Sequence, residues 1–156
     1  MTMHHHFMPE RRRRPRMTLL AALLCLSGCT PSPTVEILRA VAPATPPGVS
    51  VAAVYIELVS PTDDVLLDIV TPLADKTEIH ESVEADGMMQ MRPRESIPIE
   101  AGKPLRFAPG GLHLMLMNLH KPLLVDNSFP LDLHLQKAGT VTANVQVVPQ
   151  GSIAQH

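Results

Sequence analysis

From residue 51 onward, apolar and polar positions alternate in short runs with the two-residue period of half-buried β-strands. Val51–Leu58 and Val65–Val70 are rich in Val, Leu and Ile, and Leu112–Asn118, Phe129–Gln136 and Thr140–Val148 alternate. Thr77–Val83 and Met88–Arg92 flank Asp86-Gly87, a dipeptide suited to closing a hairpin. Leu105–Phe107 is a short apolar run, and Val35-Glu36-Ile37-Leu38 has room for a first strand. Eight or nine short strands separated by turn residues predict an all-β sandwich or barrel. The 16 prolines fit short strands and turns and argue against long helices.

The first 28 residues follow another pattern. A basic run, Arg11-Arg12-Arg13-Arg14-Pro15-Arg16, precedes the apolar run Met17–Leu26 and the small residues Ser27-Gly28, which together read as an export signal. The apolar run is about half the ~20 residues of a membrane-spanning helix. Leu26-Ser27-Gly28-Cys29 resembles the lipobox of bacterial lipoproteins, which implies lipidation at Cys29 and a lipid anchor on the periplasmic side of the envelope. Residues 29–49 contain Pro31, Pro33, Pro43, Pro46 and Pro47 and are expected to form a tether. The folded domain is expected over 50–149, with a short tail at 150–156.

Removing this leader changes the chemistry. Five of the 13 Lys and Arg residues and one of the 15 Asp and Glu residues lie in it, which leaves eight cations against fourteen anions. Such a domain is a poor nucleic-acid binder. Cys25 goes with the leader and Cys29 carries lipid, so any metal site in the domain must be built without thiolate. No Ser-His-Asp set and no phosphate-binding glycine loop stands out, and a carrier or binding protein is expected here, not an enzyme.

Five of the nine methionines, Met88, Met89, Met91, Met115 and Met117, fall in one window beside His80 and His113. Methionine is ordinarily a core gap filler, but strand alternation argues otherwise. Leu112, Leu114 and Leu116 share one face, the natural core face, and His113, Met115 and Met117 share the other. His113 and Met115 then stand about 7 Å apart along the strand, close enough for their tips to share an ion. Met89 and Met91 are likewise co-facial, and His80 opposes Ile79 in polarity. Imidazole with soft, uncharged thioether favours Cu(I) over Zn²⁺, Mg²⁺ or Ca²⁺, and the missing thiolate disfavours a blue-copper centre. Met89 and Met117 are read as packing or shielding groups, with lining of the site as the alternative, His120 as a surface-loop residue and His134 as a residue of an exposed strand face.

The spacing of His80, Met91, His113 and Met115, H-x10-M-x21-H-x-M, resembles that of the periplasmic copper chaperones called PCuAC. Met91-Arg92-Pro93, Ile97–Gly102, Pro109–Met117 and Lys121-Pro122-Leu123 extend the likeness over roughly residues 51 to 148. The resemblance implies a cupredoxin-like Greek-key β-sandwich with Cu(I) held near the surface by those four residues. It also implies delivery toward the binuclear copper centre of cytochrome c oxidase, beside a Sco-type thiol protein. The chain departs from the family at Glu81, where methionine sometimes stands, and in Val59-Ser60-Pro61-Thr62, which lacks an expected asparagine. The tail has one histidine and no methionine, so a second copper site is not expected there. Copper sequestration, or a metal-free binding module of the envelope, are the alternative functions.

Overall fold

The computed structural model describes residues 34–85 and 87–153. The leader, Cys29, Asp86 and His156 lie outside the described residues. Within them the chain is all β: β1 (Glu36–Pro43), β2 (Val51–Val59), β3 (Asp64–Val70), β4 (Ala74–Ala85), β5 (Met88–Arg94), β6 (Ile97–Ile99), β7 (Pro104–Arg106), β8 (Leu112–Leu119), β9 (Ser128–Leu135) and β10 (Gly139–Val148). The nine segments read from the pattern are all present. β6 is additional, and β1 runs to Pro43, so eight residues of the stretch read as tether belong to the sheet. Ala40, Val41 and Ala42 are buried in that strand, and their small side chains give little periodic signal.

The strands form one hydrogen-bonded path, β5-β4-β8-β2-β1-β10-β9-β3-β6, with β7 also on β2. Every pairing is antiparallel except β1 with β10. β2 is shared. Its first half, Val51–Val54, pairs with β8, and its second half pairs with β1 and β7. The path thereby turns from a β5-β4-β8 layer into the larger layer containing β9 and β10, and both close over one core. Each contributing strand alternates: Val54, Ile56 and Leu58 from β2, Leu114 and Leu116 from β8, Leu131 and Leu133 from β9, and Val145 from β10 are essentially inaccessible to solvent. Burying each large aliphatic side chain is worth about 1.5–3 kcal/mol. The leucines of β8 therefore hold its opposite face outward.

One buried charge ties the far layer together. Asp64, only 4% exposed at the start of β3, accepts backbone N–H bonds from Val65 (2.7 Å), Lys137 (2.9 Å) and Ala138 (2.9 Å). The latter two belong to the turn between β9 and β10. Burial pushes the carboxyl's pKa up, but the three N–H donors and the Lys137 charge together outweigh it and hold the group below its ordinary 3.8. A depressed folded pKa stabilises the fold above the unfolded value, and that contribution is lost as pH falls through the folded one. Asp64→Asn leaves a buried N–H facing an amide donor. It is expected to cost about 2–3 kcal/mol in urea unfolding at pH 7. The same variant should lose less further stability than the parent between pH 5 and pH 2, on the order of 1 kcal/mol less.

Candidate metal centre

The outward face of the β5-β4-β8-β2 layer follows from ladder register. His80 on β4 lies directly opposite His113 on β8, Glu78 opposite Met115, and Lys76 opposite Met117. On the other side of β4, Ser82 is opposite Met91 and Glu84 opposite Met89. On the other side of β8, Ala53 of β2 is opposite Met115. Side chains two residues apart on a strand share a face. His80, Met91, His113 and Met115 therefore all stand on one face, with Met91 as the diagonal neighbour of His80. Diagonal neighbours lie about 7–8 Å apart at the backbone, within reach of long side chains. The small Ala53 and Ser82 leave room between them.

The two imidazoles touch edge to face, with centroids 5.8 Å apart and planes at 83°. His113 is held by Pro109-Gly110-Gly111. Gly110 has φ +81°, a backbone conformation open to glycine, and the turn brings the Gly111 carbonyl 3.0 Å from His113 Nδ1. A carbonyl only accepts, so Nδ1 carries the proton and Nε2 keeps its lone pair. The ring is 6% exposed although it lies on the outward face. His113 is thus recessed beside the glycine turn and the His80 ring, while the same face is open at Met91.

His80 is fixed in the reverse sense. Its Nε2 lies 2.7 Å from Glu78 Oε2, and Lys76 Nζ lies 2.5 Å from Glu78 Oε1. Lys76 first, then His80, hold the Glu78 carboxyl below the ordinary carboxylate range. With Nε2 donating to the carboxylate, His80 Nδ1 is left as an acceptor. That nitrogen is buried and has no hydrogen-bond partner. A buried acceptor without a partner is rare and costly, and a cation drawn to its lone pair removes that cost.

The thioethers divide by exposure. Met91 is 67% and Met89 61% exposed, so neither packs into the core, and of the roles expected for Met89 core packing does not hold. Met115 and Met117 are half-buried. His120 lies in a loop 2.7 Å from Asp75, and His134 sits half-buried on β9, away from this layer. Sequence reasoning missed Glu78, although it stands two residues before His80 on an alternating strand and so shares its face. Among the described residues no three His, Cys, Asp or Glu side chains gather as a metal cluster. The co-facial methionines and the two imidazoles are the uncharged donors on this face.

Comparisons place the chain in a family. A family model described as "Putative lipoprotein LpqE-like" matches residues 35–147. The protein named "Putative lipoprotein Lxx21020" of Leifsonia xyli subsp. xyli is 28% identical over 143 residues, 83% of this chain and 86% of the relative. Among solved structures, the apo PmoF2 PCuAC domain superposes with a TM-score of 0.64 at 20% identity, covering 77% of this chain and 94% of that one. The solution structure of Cu(I)-DR1885 from Deinococcus radiodurans gives 0.56 at 25% identity, covering 84% and 87%. The chain belongs to the LpqE-like family and carries the cupredoxin-like β-sandwich of PCuAC domains.

Proposed function

We propose that this protein is an envelope copper chaperone, anchored by lipid on Cys29, that carries Cu(I) between His80, Met91, His113 and Met115. The observation that carries this reading is the histidine pair. Two rings meet edge to face, each with one nitrogen committed to a hydrogen bond inside the protein, and His80 Nδ1 is buried without a partner. Co-facial thioethers complete a soft, neutral donor set suited to Cu(I). The likeness to a domain whose structure is titled as Cu(I)-bound supports the same cargo.

His80 and His113 supply preset nitrogen donors on two adjacent strands, so little rearrangement is needed on binding. Met115, two residues from His113, brings sulfur from the same strand. Met91 stands on an exposed strand and is the ligand most easily exchanged for an incoming group. That asymmetry suits a carrier: three donors hold while one yields to an acceptor. Delivery toward the binuclear copper centre of cytochrome c oxidase, through a Sco-type dithiol, is the reading adopted for the acceptor. A single site serves delivery better than sequestration.

X-ray absorption on the chain loaded with one equivalent of Cu(I) should show both Cu–S and Cu–N scattering; a shell without sulfur would refute the thioether ligands. Met91→Ala is expected to weaken Cu(I) binding at least about tenfold. Its unfolding free energy should stay within about 0.5 kcal/mol of the parent, because the side chain is exposed. His134→Ala should leave copper affinity unchanged, and an equal loss there would reject the ligand set. Cys29→Ser should abolish lipidation and either move the processed protein to the soluble envelope fraction or block its processing. Firm membrane retention of a processed, unlipidated form would contradict the anchor.

A further inference from the structure

The hairpin of β4 and β5 reaches beyond the layer that supports it. β8 ends its pairing with β4 at Leu112, opposite Glu81. Ser82 still donates its N–H to the Gly111 carbonyl (3.1 Å), but from Val83 onward the two strands pair only with each other, and the chain reverses at Gly87, where φ is +74°. Met88 and Met89 lie on this overhang and Met91 at its base, and all three are more than 60% exposed. Burial does not account for them. Strand propensity does not either, since exposed strands favour β-branched and aromatic residues.

Register separates the three. Met89 and Met91 stand on the face that carries His80, His113 and Met115, whereas Met88, opposite Ala85, stands on the other face. Along β5 the thioethers of Met89 and Met91 are attached about 7 Å apart, and each side chain has three rotatable bonds. The two sulfurs can therefore approach one cation from either side. Glu84, exposed and directly opposite Met89, adds a negative charge where a cation would first arrive. From the tip inward the face runs Met89 with Glu84, then Met91 with Ser82, then the histidine pair.

We propose that Met89 is a transient entry ligand, which receives Cu(I) at the hairpin tip and passes it to Met91 and the histidine pair. This rests on the copper reading above. The step is a ligand exchange. A Cu–S bond to Met89 forms as a bond to the donor's ligand breaks, and a Cu–S bond to Met91 then forms as the Met89 bond breaks. Copper remains Cu(I), both thioethers remain neutral, and no proton or electron moves. Release to an acceptor runs the same path in reverse, so Met89 lowers the barrier in both directions and leaves the end states alone.

The test is stopped-flow loading of the full chain from Cu(I)–bicinchoninate and unloading to excess bicinchoninate, with equilibrium competition run in parallel. Met89→Leu keeps an apolar side chain of similar size and removes the sulfur. It should slow loading and unloading by the same factor, about tenfold, a barrier change of about 1.4 kcal/mol. Its equilibrium affinity should stay within about twofold of the parent. Met88→Leu, on the opposite face, should load at the parent rate. Unchanged rates in Met89→Leu would overturn the proposal. A tenfold loss of affinity would overturn it too, by making Met89 a ligand of the resting site. Equal slowing by Met88→Leu would assign the effect to the apolar tip. Failure of the parent chain to bind Cu(I) is a separate result that removes the copper reading and this inference together.

Discussion

A slip of one residue between β4 and β8 would turn Leu114 and Leu116 out to water and drive His113 and Met115 into the core. The register that prevents this is the constraint on which the site depends. It is held from both sides. β8 is paired with β4 along one edge and with the first half of β2 along the other, while its leucines fill the core that β9 and β10 close. Exposing two leucines would cost about 3–6 kcal/mol, comparable to the whole stability of a small domain. The apolar face fixes the register, and the register places His113 opposite His80.

On that frame the polar groups refine what alternation begins. Gly111 and Glu78 each occupy one nitrogen of a histidine, and they choose opposite nitrogens: Nδ1 in His113 and Nε2 in His80. The remaining lone pairs are then set by hydrogen bonds and do not depend on pairing one ring with the other. The Glu78 carboxylate is itself held by Lys76 on its second oxygen, so the chain of contacts runs from a surface cation to a buried nitrogen. The methionines contribute differently. They stand on the same face with no hydrogen bonds to hold them, and in Met91 and Met89 with little burial. In the proposed reading, the hydrogen-bonded nitrogens hold the ion and the exposed sulfurs exchange it.

Most of the fold was legible because its signal is local. Wherever side chains alternate in character, as in β8, β9 and β10, the strand could be read directly. β6 escaped because Ile97-Pro98-Ile99 is three residues long with proline at its centre, and its pairing with β3 is a long-range contact. β1 was underestimated because Ala40, Val41 and Ala42 are buried consecutively between two neighbours and show no two-residue period. At the site, the shared face of His113 and Met115 was readable from one strand. That His80 meets His113 was not, because cross-strand register is set by the core. The recess around His113 and the exposure of Met89 were also hidden, since a turn carbonyl and a hairpin overhang leave no mark in hydrophobic periodicity.

The claim at the centre of this account is that two imidazoles with preset nitrogens and two thioethers bind one soft ion. Nuclear magnetic resonance on protein labelled at the methionine methyls and histidine nitrogens tests it most directly, during titration with one equivalent of Cu(I) under reducing conditions. The account predicts that the Met91 and Met115 methyls shift in step with His80 Nδ1 and His113 Nε2, saturate together, and leave His120 and His134 unmoved. Saturation at His120 or His134 while Met91 and Met115 stay in place, or coordination through His80 Nε2 and His113 Nδ1, would contradict it.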